Sequence, residues 1–234
     1  MLLFLPGLIC DERIFHDQLA AFPDSQAVAG YPGAGSLEAM ARIVLDRAPD
    51  SGDGRFDLFG HSMGGRVALE VYRLAPQRVR RLALASTGVH PVGEAEPGKR
   101  RALQQLGREQ GFAALVDTWL PPMVADEGRA DPQVYASMRQ MCLDQGQDVF
   151  DAHIAALLGR PEVESLLPQI ACPTLVITGE LDAWAPPAQH ERIASLIPDS
   201  ELVIVAGAGH MLPREAPAAV NAAIASWLER PAGD

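Results

Sequence analysis

The 234-residue chain reads as one α/β unit, a mostly parallel sheet of about six strands flanked by helices and interrupted by a helical insertion. Three observations predict it. Short, continuously apolar runs ended by Gly or Pro, such as Leu2 to Leu5 before Pro6-Gly7, fit strands buried on both faces of a parallel sheet. These runs alternate with segments whose apolar residues recur at helical spacing. From about Gly88 to Ile170 the strand signal disappears, leaving helical stretches between Pro and Gly breaks. The core then comprises residues 1–87 and 171–234, and the insertion residues 88–170.

Leu2 to Leu5 starts the chain inside the core. Asp11 to Ala21 fits a short helix with Ile14, Phe15 and Leu19 inward, and Ala27 to Gly30 a brief second strand. The loop Tyr31-Pro32-Gly33-Ala34-Gly35-Ser36 lacks the third glycine of a dinucleotide fingerprint, and Ser36 caps a helix from Leu37 to about Arg47. Phe56-Asp57-Leu58-Phe59 is a strand that runs through Gly60-His61-Ser62-Met63-Gly64-Gly65 into a helix from Met63 to Ala75, and Arg80 to Ser86 is the next strand. The insertion holds helices over Lys99 to Gln110, Phe112 to Trp119, Val134 to Leu143 and Gln147 to Leu158. Strands resume with Thr174 to Thr178 and Leu202 to Val205, separated by a helix near Ala188 to Leu196, and a last helix covers Ala216 to Leu228.

Composition narrows the partners. A formal net charge of -11 and a pI near 4.9 argue against nucleic acid or an anionic membrane, either of which needs a basic face. Lys99 is the one lysine, and the tightest basic group, Arg78, Arg80 and Arg81, reads as a solvated strand edge. Cys10, Cys142 and Cys172 show neither CxxC nor metal-ligand spacing, so reduced thiols and no metal are expected. The apolar start has no basic residue before it and is broken at Pro6-Gly7, and no run approaches the roughly 20 apolar residues of a membrane span. The expectation is a soluble, cytoplasmic protein.

Between a strand and a helix, Gly-x-Ser-x-Gly forms a sharp turn that exposes Ser62 at the sheet edge, with glycines removing the Cβ clashes of a close approach. A serine hydroxyl needs a base to take its proton and a third group to fix that base. Asp182 follows the strand that ends at Thr178-Gly179, and His210 follows the strand ending at Val205 through Ala206-Gly207-Ala208-Gly209. Both fall at the carboxyl edge that carries Ser62, where ligands of open α/β sheets bind. Glu180 competes with Asp182 for that third role, and Asp182 is followed by the loop Ala183-Trp184-Ala185-Pro186. His61 occupies a variable position of the turn, His190 reads as a solvated helix residue, and Cys10 as a structural thiol.

Taken together, Leu5-Pro6-Gly7-Leu8, Gly60-His61-Ser62-Met63-Gly64, Gly179-Glu180-Leu181-Asp182 and Gly209-His210 make the chain resemble the α/β-hydrolase superfamily over nearly its whole length. The resemblance implies Ser62 as nucleophile, His210 as general base and then acid, and Asp182 as the residue orienting it. It implies backbone N–H groups of Met63 and Leu8 as the oxyanion hole. It also implies that the insertion is a helical cap, from which Trp119, His153 and Arg160 are candidate substrate contacts. Helix packing is the competing role for Trp119 and His153, and a structural ion pair for Arg160. The activity implied is cofactor-independent serine hydrolysis of a small or medium carboxylic ester through an acyl-enzyme at Ser62. Thioesterase, lactonase and carbon-carbon bond hydrolase activities share such a triad, and a non-catalytic small-molecule-binding relative is the reading outside enzymes.

Overall fold

The computed structural model describes residues 1–48 and 53–232. Six strands, β1 (Leu2–Leu5), β2 (Gln26–Ala27), β3 (Phe56–His61), β4 (Val79–Ala85), β5 (Thr174–Gly179) and β6 (Ser200–Val205), form one parallel sheet in the order 2-1-3-4-5-6. The helices that follow the first five strands are α1 (His16–Ala21), α2 (Leu37–Arg47), α3 (Met63–Leu74), then α4 (Glu96–Gln110), α5 (Phe112–Trp119), α6 (Asp126–Ala130) and α7 (Pro132–Leu158), and α8 (Pro187–Leu196). After β6 come α9 (Leu212–Glu215) and α10 (Pro217–Glu229). The chain steps from β1 to the edge strand β2 and returns across β1 to β3, so the order reverses between β1 and β3. That switch point opens a crevice at the carboxyl ends of the two strands.

The local chemistry accounts for most of the elements. All four residues of β1 and all six of β3 are buried, as strands covered on both faces require. In α2 the Ser36 hydroxyl accepts the Ala39 N–H at 3.1 Å, and Leu37, Met40, Ala41 and Val44 form the buried stripe. Phe4, Phe15 and Phe59 pack with ring centroids 4.9–6.1 Å apart, tying β1, β3 and the turn before α1 into one core. Within the insertion, α7 contains the two expected helices joined across a kink at Gly146 (φ 77°, ψ 171°). No helix among the described residues is long and apolar enough to cross a membrane.

Two expectations are corrected. The second strand is only Gln26–Ala27 rather than Ala27 to Gly30, because Gly30 turns the chain at φ 88°. Arg80 and Arg81 do not mark a solvated edge: β4 lies between β3 and β5, and both guanidiniums pair with the buried Asp57 of β3 at 2.7 and 3.2 Å.

The start of α3 presses on the end of β1. A Cβ on Gly64 would lie 2.0 Å from the Leu5 carbonyl oxygen, which is backbone and cannot swing aside. Gly64→Ala is therefore expected to destabilise by more than about 3 kcal/mol, read as a large fall in thermal midpoint or loss of soluble protein. Gly98→Ala, on an exposed face of α4 with nothing within 4 Å, is expected to stabilise by about 0.5–1 kcal/mol in the same measurement.

Candidate active site

Ser62 stands on the tight turn from β3 to α3 with φ 56° and ψ -117°, a left-handed conformation costly for a residue with a Cβ. Its surroundings fix it there. Its N–H donates to the Ala85 carbonyl at 2.8 Å, and its carbonyl accepts from the Gly65 N–H at 3.0 Å and the Thr87 hydroxyl at 2.7 Å. The hydroxyl projects to His210 Nε2 at 2.9 Å. His210 Nδ1 faces both oxygens of Asp182 at 3.0 and 2.9 Å.

A carboxylate only accepts hydrogen bonds, so His210 Nδ1 carries the proton and Nε2 turns a lone pair to the serine hydroxyl. Asp182 is 2% exposed and also accepts the Trp184 and Ala185 N–H groups at 2.9 and 2.8 Å. Burial alone pushes this carboxyl upward, but the facing His210 ring and those two backbone donors outweigh it and hold the group below the usual carboxylate range. Its rival Glu180 points elsewhere, accepting the Gly207 N–H at 3.1 Å.

The loop after β1 runs alongside. The N–H groups of Leu8 and Met63 donate to no other group of the described residues, and both residues line the cavity that contains Ser62 and His210. The loop is braced by the Cys10 N–H on the Gly7 carbonyl at 3.2 Å and the Tyr31 hydroxyl on the Pro6 carbonyl at 3.2 Å. A third brace comes from the insertion, where His153 Nδ1 accepts the Ile9 N–H at 3.3 Å, next to Ile9's own φ of 45°. Cys10 is buried, and its hydrogen bond with Cys142 together with burial pushes the thiol well above its ordinary value, so it offers no thiolate.

The cavity has a volume of about 490 Å³ and lies between the sheet edge and the insertion, which contributes Leu103, Trp119, Met123, Phe150, Ile154 and Leu157. Trp119 thus faces the cavity. His153 does not line it, since its ring is turned to the Ile9 N–H. Arg160 does line it, with its charge already engaged: Nη1 and Nη2 meet the two Glu96 oxygens at 2.6 Å each. The insertion also holds His210 itself, because the Met123 carbonyl accepts the His210 N–H at 2.9 Å and the Met211 N–H at 3.3 Å.

Two histidines have roles that sequence reasoning missed. His190 is fully buried rather than solvated, its Nε2 accepting the Thr87 N–H at 3.0 Å and its Nδ1 facing the Pro186 carbonyl at 3.3 Å. It thereby steadies the segment that bonds the Ser62 carbonyl. His61 donates from Nε2 to the His210 carbonyl at 2.8 Å, tying the serine turn to the histidine loop. The one signal for His61 was its place beside Ser62; for His190 the sequence held none.

With this geometry in hand, residues 2–223 match the alpha/beta hydrolase family, and the chain belongs to it. It is 31% identical over 88% of its length to a polyketide synthase of Burkholderia thailandensis. It is 34% identical over 96% of its length to the dihydrolipoyllysine-residue acetyltransferase component of an acetoin cleaving system from Pseudomonas putida. The chain spans only 11% and 58% of the lengths of these two relatives. A thermophilic esterase from Thermogutta terrifontis, solved with malate bound, superposes with a TM-score of 0.85 at 29% identity, covering 97% of this chain and 88% of that one.

Burial keeps His61, His153 and His190 neutral, each with its pKa pushed down to about 4. An unfolded histidine titrates near 6.5, so between about 6.5 and 4 the unfolded chain takes up protons that the folded chain refuses. Stability is lost as pH falls through that window. The thermal midpoint should therefore fall steeply between about pH 6.5 and 4.5 in scanning calorimetry. A midpoint that stays level down to pH 4.5 contradicts three buried neutral rings.

Proposed function

We propose that this protein is a serine hydrolase acting on small or medium carboxylic esters, with Ser62 as nucleophile, His210 as general base and then acid, and Asp182 as the residue that orients His210. The observation that carries this reading is the continuous path from the Ser62 hydroxyl through the His210 ring to the Asp182 carboxylate, with contacts of 2.9–3.0 Å throughout. As Ser62 Oγ attacks the ester carbonyl, its proton passes to His210 Nε2, and Asp182 stabilises the imidazolium that forms. The negative oxygen of the tetrahedral intermediate is received by the Leu8 and Met63 N–H groups, which have no competing partner among the described residues. His210 then protonates the departing alkoxide and leaves an acyl group on Ser62. A water deprotonated by the same ring attacks that acyl group, and collapse of the second intermediate returns the carboxylic acid and the free serine. No step needs a cofactor. The family membership and the 29% identity to an esterase support hydrolysis, and the apolar cavity wall of Leu103, Trp119, Phe150 and Ile154 supports an organic acyl or alcohol group as the bound part.

The test is intact mass after exposure to a fluorophosphonate, with the native chain compared with Ser62→Ala. One adduct is expected on the native chain and none on the variant; a folded native chain that takes up no reagent contradicts an activated Ser62. Asp182→Asn should keep the fold and lower kcat on para-nitrophenyl acetate by about three to four orders of magnitude, because the amide favours the wrong tautomer of His210. His153→Ala releases the Ile9 N–H and loosens the loop bearing Leu8, so kcat should drop by about tenfold with KM little changed.

A further inference from the structure

Beside Ser62 the cavity holds a charged donor that ester hydrolysis does not use. Arg66 lies one helical turn beyond Ser62 on α3, is 5% exposed and lines the same cavity. Its Nη2 donates to the His90 carbonyl at 2.9 Å, while its buried Nη1 has no hydrogen-bond partner among the described residues. A buried guanidinium N–H left unmatched is unfavourable, and native structures rarely keep one without a reason.

Among the described residues no acidic group pairs with it. Glu96, whose charge favours the Arg66 guanidinium, has its two oxygens taken by Arg160 at 2.6 Å each and by the Arg100 Nε at 2.8 Å. Around the cavity wall four cationic side chains, Arg66, Lys99, Arg100 and Arg160, face two anionic ones, Glu94 and Glu96. This cationic wall belongs to a chain whose formal net charge is -11. Burial, and then the nearby Arg160, pushes the Arg66 guanidinium down to about 9, which leaves it charged at neutral pH.

We propose that Arg66 Nη1 is the recognition point for a carboxylate carried by the substrate away from the scissile bond, so that the preferred substrates are esters or lactones bearing a second, anionic group. The inference rests on hydrolysis at Ser62 and deepens it by naming the substrate class. An anion here gains a charge-assisted hydrogen bond from a donor already stripped of water, with Arg100 as the adjacent positive charge. The Arg66–His90 bond fixes the guanidinium in place before the substrate arrives.

Two substrate pairs test it, one with the charge in the acyl part and one with the charge in the leaving group. They are mono-para-nitrophenyl glutarate against para-nitrophenyl pentanoate, and para-acetoxybenzoate against para-tolyl acetate. The anionic-to-neutral ratio of kcat/KM is measured for the native chain and for Arg66→Gln, so that intrinsic reactivity cancels. In at least one pair that ratio should fall by about tenfold or more in the variant, mainly through KM, and Arg66→Lys should recover part of it. Binding of glutarate by calorimetry gives a readout independent of turnover, and it too should weaken by about tenfold or more in Arg66→Gln. Ratios within about twofold for both pairs, with glutarate binding unchanged or absent in the native chain, overturn the proposal. Ser62-dependent turnover of the neutral esters reports separately on the hydrolase reading. Its absence alongside Arg66-dependent glutarate binding would remove the esterase and leave the carboxylate site standing.

Discussion

Ser62 keeps its backbone in a left-handed conformation that costs a residue with a Cβ about 1–3 kcal/mol, and everything around the site is arranged to hold it there. The Ala85 carbonyl, the Gly65 N–H and the Thr87 hydroxyl bind its peptide groups, so β4 and the loop after it fix the serine from outside its own strand. Thr87 is held in turn by His190. Helix α3 can begin this close to β1 only because Gly64 has no Cβ to meet the Leu5 carbonyl. That close approach also brings the Leu8 and Met63 N–H groups to one cavity. A turn relaxed into an ordinary conformation would separate the hydroxyl from the donors beside it.

The remaining groups are delivered by the sheet. Parallel strands end on one edge, so residues just after β1, β3, β5 and β6 converge although they are far apart in the chain. The insertion then completes what the edge begins. The Met123 carbonyl ties down the His210 and Met211 N–H groups, and His153 ties down Ile9, so the insertion braces both His210 and the loop bearing Leu8. Covering the cavity and ordering its polar groups are one structural act here, and a shift of the insertion would be felt at both.

Two polar groupings share the cavity wall. At Ser62, the buried Asp182 carboxylate orients the His210 ring. One helical turn along α3, guanidiniums outnumber carboxylates and the Arg66 Nη1 is unmatched among the described residues. The apolar residues of the same wall make both groupings more sensitive to what they contact, since charges interact more strongly where water is thin.

The sequence by itself determined the parallel sheet, the positions of the helices other than α6 and α9 to within a few residues, and the arrival of Ser62, Asp182 and His210 at one edge. These are local facts: apolar runs closed by Gly or Pro, a cap at Ser36, and a Gly-x-Ser-x-Gly turn all declare themselves within about ten residues. Only the tertiary structure decided what the other polar groups do. His153 meets Ile9 across 144 positions, and Arg160 meets Glu96 across 64. His190, which reads as an exposed helix residue, is buried by packing no periodicity encodes, and Arg80 and Arg81 find Asp57 because β4 is interior. Arg66 carries no local signal beyond its place in a helix, and its burial and its bond to the His90 carbonyl come from segments that pack on it from elsewhere. A side chain's neighbours in sequence fix its element, while its partners and its access to water are fixed by segments that fold back on it from elsewhere.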